Sequence, residues 1–183
     1  MIMRKFTLLI ALLLGFSSCQ PAHPPRTELI AKYTSAPQAF EKLKEMILQD
    51  ASKDEYFAIG YDNIGYYWEY EGKWSTSRTT KDTRANLSLP EVLKTIGMTE
   101  SRYLEYVKLF EKTDSERVIL YQSSKIGNVV HILLYRAGNV TSGTSANIAW
   151  AEKTPTNLKL YGRNDFCGIT LLKQGWYLNV ECS

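Results

Sequence analysis

Apolar positions along this chain fall into three regimes. From Phe6 to Phe16 they form one run, broken only by Thr7 and Gly15. Phe40, Leu43 and Ile47 then recur at helical spacing, which predicts a helix from Ser35 to about Gln49. Ser35-Ala36-Pro37-Gln38 has the spacing of a capping box for its start. Strict alternation follows in Phe57, Ile59 and Tyr61 and again in Ile64, Tyr66 and Trp68. A two-residue turn at Asp62-Asn63 would pair Tyr61 with Ile64, Ile59 with Tyr66 and Phe57 with Trp68, all on one face. Ser88-Leu89-Pro90-Glu91 opens a short helix ended by Gly97, and Thr99 opens another with Tyr103, Leu104, Val107 and Phe110 inward. The two make an αα-hairpin. Their Gly-Met-Thr joint resembles a helix-turn-helix, but the second helix alternates charge and has no basic face.

From Val118 onward the chain reads as strands. Val118–Tyr121, Val129–Tyr135, Ala146–Ala151, Leu158–Tyr161, Cys167–Leu172 and Trp176–Cys182 read as strands. Val129–Tyr135 is apolar on both faces, which predicts a central strand covered on both sides. The fold class is α+β: an antiparallel sheet of about six to eight strands with three helices, the αα-hairpin lying mid-chain.

The first apolar run follows Arg4 and Lys5 and spans about eleven residues, short of the roughly 20 that cross a bilayer. A positive start, a short apolar core and small residues after it make a secretory signal. Leu14-Gly15-Phe16-Ser17-Ser18-Cys19 resembles the lipobox of bacterial lipoproteins, with Phe16 where that family usually has an aliphatic residue. The resemblance covers residues 1–19. It implies a leader at 1–18, cut before Cys19, and acylation of the Cys19 thiol. Gln20 in place of Asp implies the outer membrane, facing the periplasm. Residues 19–34 then read as a lipidated, extended tether, because Pro21, Pro24 and Pro25 oppose regular structure. Residues 35–183 read as a single domain.

The chain has 183 residues, so cutting before Cys19 leaves 165, the size of one domain. Arg4 and Lys5 leave with the leader, reducing 22 basic residues to 20 against 19 acidic ones. A nearly neutral domain carries no electrostatic footprint for nucleic acid.

Three cysteines are present. With Cys19 acylated, Cys167 and Cys182 remain in an oxidising compartment, where a pair bonds. A turn at Gln174-Gly175 pairs Lys173 with Trp176, Leu171 with Leu178, Ile169 with Val180 and Cys167 with Cys182. Cα atoms of such a pair lie ~5.5 Å apart, within disulfide range. Two Cys with His23 and His131 do not form a ligand-spaced set, so no metal and no cofactor are expected.

Catalytic signals are absent from the pattern. His131 is the one histidine beyond the tether, on the face of Val129, Leu133 and Tyr135, with Asp165 or Glu152 as conceivable partners. A hydrogen-bonded strand histidine is the simpler reading. The small polar loop from Gly138 to Ser145 lacks the Gly-Lys-Ser/Thr ending of a phosphate loop. Ser142-Gly143-Thr144-Ser145-Ala146 is similar to the Ser-Gly-x-x-Tyr loop of lipoprotein lysozyme inhibitors, with Ala146 in place of the aromatic. Asn86-Leu-Ser88 and Asn139-Val-Thr141 match glycosylation sequons. Glu55, Asp62, Glu69 and Glu71 fall on different faces and at hairpin ends, so they indicate no glycosidase pair.

Tyr56, Tyr67 and Trp74 are surplus to the first hairpin face, and on the second face they form either a buried layer or a contact surface. The leading expectation is a lipid-anchored envelope protein that acts by binding a protein, as an inhibitor or immunity-type module. An outer-membrane assembly accessory or structural lipoprotein, and an envelope hydrolase, are the alternatives. A toxin partner, co-purification with a barrel assembly, or a pocket holding His131 beside a carboxylate would separate the three.

Overall fold

Nine strands lie in one antiparallel sheet, with helices on one of its faces. A computed structural model describes residues 24–51, 56–76, 86–138, 143–154 and 167–182. Cys19, His23, Glu55, Asn139, Ser142, the Leu158–Tyr161 segment and Asp165 therefore lie outside the described residues. Four helices are described: α1 (Arg26–Ser35), α2 (Pro37–Asp50), α3 (Leu89–Thr95) and α4 (Glu100–Thr113). The strands are β1 (Tyr56–Gly60), β2 (Asn63–Ile64), β3 (Tyr67–Tyr70), β4 (Lys73–Ser75), β5 (Arg117–Ser123), β6 (Gly127–Gly138), β7 (Gly143–Ala151), β8 (Gly168–Lys173) and β9 (Trp176–Cys182). Their order across the sheet is β4-β3-β2-β1-β5-β6-β7-β9-β8.

The first departure from the pattern is α1. Residues 26–35 are helical, where an extended tether was expected. Leu29 and Tyr33, four apart, are both buried in the main core. Tyr33 packs its ring on Phe40 and Trp176. One apolar pair at helical spacing is a weak sequence signal, and the prolines before it dominate the composition. The folded domain thus begins by Arg26, before the expected start at 35. Ser35 does not cap α2: its hydroxyl donates to the Lys32 carbonyl at 2.8 Å, closing α1 instead. Ala36 stands at the N-cap of α2, with Pro37 in the first turn.

α2 buries Ala39, Phe40, Leu43, Met46 and Ile47 against the sheet. Each of the larger side chains is worth ~1.5–3 kcal/mol relative to exposure. The capping box at α3 forms as expected, with the Glu91 carboxylate accepting from the Ser88 N–H and hydroxyl, both at 2.7 Å. The Thr99 hydroxyl accepts from the Arg102 N–H at 3.1 Å and starts α4. The inward stripe of α4 is Tyr103, Tyr106, Phe110 and Thr113, while Leu104 is exposed. Charge partners set that rotation: Tyr106 donates to Asp50 at 2.8 Å, and Arg102 pairs with the same carboxylate at 2.9 Å.

The aromatic hairpin adopts another register. Ile59 pairs with Ile64, two positions from the expected match with Tyr66. The chain turns again at once through Gly65, at φ 56°, so Ile64 also pairs with Tyr67. Buried Asn63 fixes this second turn by donating to the carbonyls of Gly65 at 3.2 Å and Tyr67 at 2.9 Å. Two turns replace one, and the six aromatic and aliphatic positions divide between faces.

β6 is central as expected, but helices cover only one of its faces. Val130, Ile132 and Leu134 point into the core. On the other face Val129 and His131 are half-buried and Leu133 is buried. A bulge between Leu133 and Tyr135 returns Tyr135 to the core side, away from the His131 face.

The last hairpin keeps its turn and changes its register. Lys173 pairs with Trp176, but a bulge follows and Leu171 meets Tyr177, Ile169 meets Asn179 and Gly168 meets Val180. Cys167 and Cys182 are consequently not direct cross-strand partners. They still form the disulfide, with Cα atoms 5.8 Å apart.

Candidate functional site

Pairing across the sheet assembles the face opposite the helices from rows of residues. One row is Tyr56, Tyr121, Val129 and Ala151. The next is Ala58, Ile119, His131, Ala149, Tyr177 and Leu171. A third runs through Gly60, Arg117, Leu133, Asn147, Asn179 and Ile169. Among the described residues no helix or strand packs over this face, yet Arg117, Leu133, Asn147, Ala149 and Tyr177 on it are buried, and its aromatic side is exposed at Tyr66 and Tyr121. Its character grades from aromatic at the first row to polar at the third.

An aromatic chain occupies the β2–β1–β5–β6 side. The Tyr56 ring lies 6.4 Å from Tyr66 and 5.4 Å from Tyr121, and Tyr121 meets the His131 ring edge-on at 5.3 Å. Tyr66 is 64% exposed and Tyr121 37%. These side chains are held from below: β1 and β5 bury Phe57, Ile59, Val118 and Leu120 on the helix side, so alternation sends Tyr56 and Tyr121 outward. Beside them a shallow depression of about 470 Å³ runs from Tyr121 and His131 over Ile119 and Leu133 to Asn147 and Glu181.

Burial pushes the His131 imidazole below its ordinary range, partly opposed by the Glu181 carboxylate. Burial likewise raises the Tyr121 phenol. At neutral pH both groups are uncharged, so the site offers flat, polarisable rings and a dipolar imidazole.

Next to the aromatic chain lies a charge cluster. Asp62 pairs with Arg117 and, at 2.7 Å, with Arg136, which also reaches Glu116 at 3.2 Å. Burial would raise the Asp62 carboxyl, but the Arg136 and Arg117 guanidinium groups hold it below its usual value. Arg117 is itself buried, and its guanidinium lies 4.9 Å from the Trp68 ring. Gly60 makes room for it: a Cβ there would stand 2.8 Å from the Arg117 Cγ. Two cations face two carboxylates, so the cluster is a balanced brace at the rim of the face.

Of the three aromatics expected on a second hairpin face, only Tyr56 belongs to this one. Trp74 is buried in the main core and Tyr67 packs against it half-buried. The second turn moves them: Tyr67 follows Ile64 to the helix side and Trp74 comes with it, opposite Glu69. Tyr66, Tyr121 and His131 take their place. Alternation in Arg117–Tyr121 marks Tyr121 as facing away from Val118 and Leu120, but its meeting with Tyr56 depends on the β1–β5 pairing, which local periodicity does not reveal.

His131 makes no hydrogen bond among the described residues. Ser145 faces the same depression, but its backbone lies four positions along β7 from Ala149, the partner of His131. That is about 13 Å of strand, too far for a nucleophile–base pair. Glu152, one conceivable partner of His131, instead accepts from the Asn128 N–H at 2.9 Å. Asp62 is committed to arginines, Glu69 accepts from the Gly72 N–H and Glu71 is exposed at a turn, so the acidic residues do not converge. No group of three His, Cys, Asp or Glu arranged for a metal occurs among the described residues. The arrangement can stack, hydrogen-bond and exclude water from a partner surface. No protein-family model, no curated protein and no solved structure matches this chain.

Proposed function

We propose that this chain is a lipid-anchored protein of the cell envelope that acts by binding another protein through the exposed aromatic side of the sheet face opposite its helices. The observation that carries the reading is the linked cluster of Tyr56, Tyr66, Tyr121 and His131 on a sheet face that no described helix or strand covers. Tyr is a preferred anchor of protein interfaces, giving large contact area at low entropic cost and a hydroxyl to satisfy. The braced Asp62–Arg117–Arg136 cluster at the rim supplies the polar surround that such anchors favour. The leader and Cys19 supply the anchor, holding the domain by two or three acyl chains. An inhibitor or immunity-type module, which works by occupying a partner's surface, fits a site with anchors and, among the described residues, no assembled catalytic set.

The test is photocrosslinking in living cells from a benzophenone amino acid placed at Tyr66, at Tyr121 and, as controls, at Lys42 and Glu45 on the helix side. The reading expects one shared adduct from Tyr66 and Tyr121, competed by excess unlabelled domain, and none from the controls. An adduct from the helix side alone would overturn it.

A further inference from the structure

We infer that the depression beside the aromatic chain receives a lysine or arginine side chain of the partner protein, with its cation against Glu181. This inference rests on the docking reading above and adds the chemistry of what docks. The depression has an apolar floor and a polar end. Ile119 and Leu133 form the floor, and the Tyr121 ring walls it, edge-on to His131 at 5.3 Å. At the far end Ser145 and Glu181 are cross-strand partners on β7 and β9, with Asn147 next to Ser145 on the same face. Asn147 is buried and donates to the Ser145 hydroxyl at 3.5 Å, a long bond. The Glu181 carboxylate accepts from the Asn179 side-chain amide at 2.8 Å.

Among the described residues no cation pairs with Glu181. Arg136 lies in the same row, two strand spacings away or about 10 Å, but its guanidinium is on Asp62 and Glu116. Arg117, the other arginine of this face, is on Asp62 too. The field of Glu181 instead reaches over the depression. Burial is the first cause of the raised Tyr121 phenol and the lowered His131 imidazole, and at both groups the Glu181 carboxylate favours the proton-bearing form. A place that favours a proton on two separate groups favours a cation between them.

The possible occupants separate on that ground. An anion is repelled. An apolar side chain would cover Ile119 and Leu133 but strip water from Glu181, Ser145 and Asn147 without replacing its hydrogen bonds, which is costly. A long basic side chain satisfies both parts: its methylenes lie on the apolar floor and its charged head meets the carboxylate. The aromatic residues then anchor the partner, and Glu181 selects for a basic residue beside the anchored surface.

The experiment uses the full mature chain and the protein crosslinked from Tyr66 and Tyr121. If neither position yields an adduct, the docking reading falls and this inference falls with it. With the partner in hand, affinity is measured by titration calorimetry at about 0.05 and about 0.5 M salt. Glu181→Gln keeps an oxygen for Asn179, and the residue is exposed, so its thermal transition should match wild type. Its Kd should be about tenfold weaker at low salt, with the gap narrowing at high salt. Glu181→Lys should lose more, and replacing one basic residue of the partner by Glu should restore its binding. Equal affinity of Glu181→Gln and wild type at low salt, a gap that high salt leaves unchanged, or a Glu181→Lys defect that no charge reversal on the partner restores each overturns the inference while docking through Tyr66 and Tyr121 stands.

Discussion

Glu41 shows how much single side chains contribute to joining the layers. Its carboxylate on α2 accepts from Lys44 at 2.5 Å, and from Lys173 and the Trp176 indole N–H, both at 2.9 Å. One residue thus ties a helix to the last hairpin. Burial would raise the Glu41 carboxyl, but the hydrogen bonds from Lys44 and Lys173 outweigh it and hold it below 4.5. Asp62 is held below 3.8 in the same sense by Arg136 and Arg117 against burial. A depressed carboxylate stabilises the fold above its unfolded value, and that contribution is lost as pH falls through the folded value. His131, a base depressed by burial, acts in the same direction from higher pH: below 6.5 the unfolded chain takes up its proton more readily. Stability should therefore be full above about pH 6.5 and fall in two stages, first with His131 and then with the carboxylates. Denaturant titrations from pH 8 to pH 3 should show the first stage vanish in His131→Gln. They should show Glu41→Gln about 1 kcal/mol less stable at pH 7 with a shallower acid limb.

α1 and the last hairpin are the elements where local pattern and tertiary structure part. Leu29 is fully buried, so Leu29→Ala should cost ~2–5 kcal/mol by chemical denaturation. A residue in a loose tether would cost nothing measurable. The Cys167–Cys182 link closes 15 residues, and in the chain-entropy model a loop of that length contributes about 3 kcal/mol. Cys167→Ser with Cys182→Ser should lower stability by roughly that amount, read against wild type under non-reducing conditions. Strong local signals were legible in sequence: the Ser88–Glu91 box, the Thr99 cap, the α2 stripe, the Gln174-Gly175 turn and the cysteine pair all form. Misread features depend on events that periodicity does not carry. The bulges in β6 and β8 shift alternation by one residue, and the Asn63 side chain closes a second turn where pattern alone favours one long hairpin. The face of an aromatic follows from such a turn, which is why Tyr66 and Tyr67 exchange faces.

At the scale of the whole molecule, one asymmetry organises the rest. Every described helix belongs to one side of a nine-stranded sheet, and the main core lies between them. The other face carries a small cluster of Ala149, Ala151 and Tyr177 with Val129 and Ile169, and beside it the Tyr56–Tyr66–Tyr121–His131 chain. The proposed docking of a second protein on this face is the central claim. Its most direct test is the affinity of the protein crosslinked from Tyr66, measured by titration calorimetry against wild type, Tyr66→Ala and Lys42→Ala. Tyr66 is 64% exposed, so its truncation should leave the thermal transition unchanged. The account predicts at least a tenfold weaker Kd for Tyr66→Ala, about 1.4 kcal/mol, and no change for Lys42→Ala. Equal affinity for Tyr66→Ala and wild type, or a loss confined to Lys42→Ala, would contradict it.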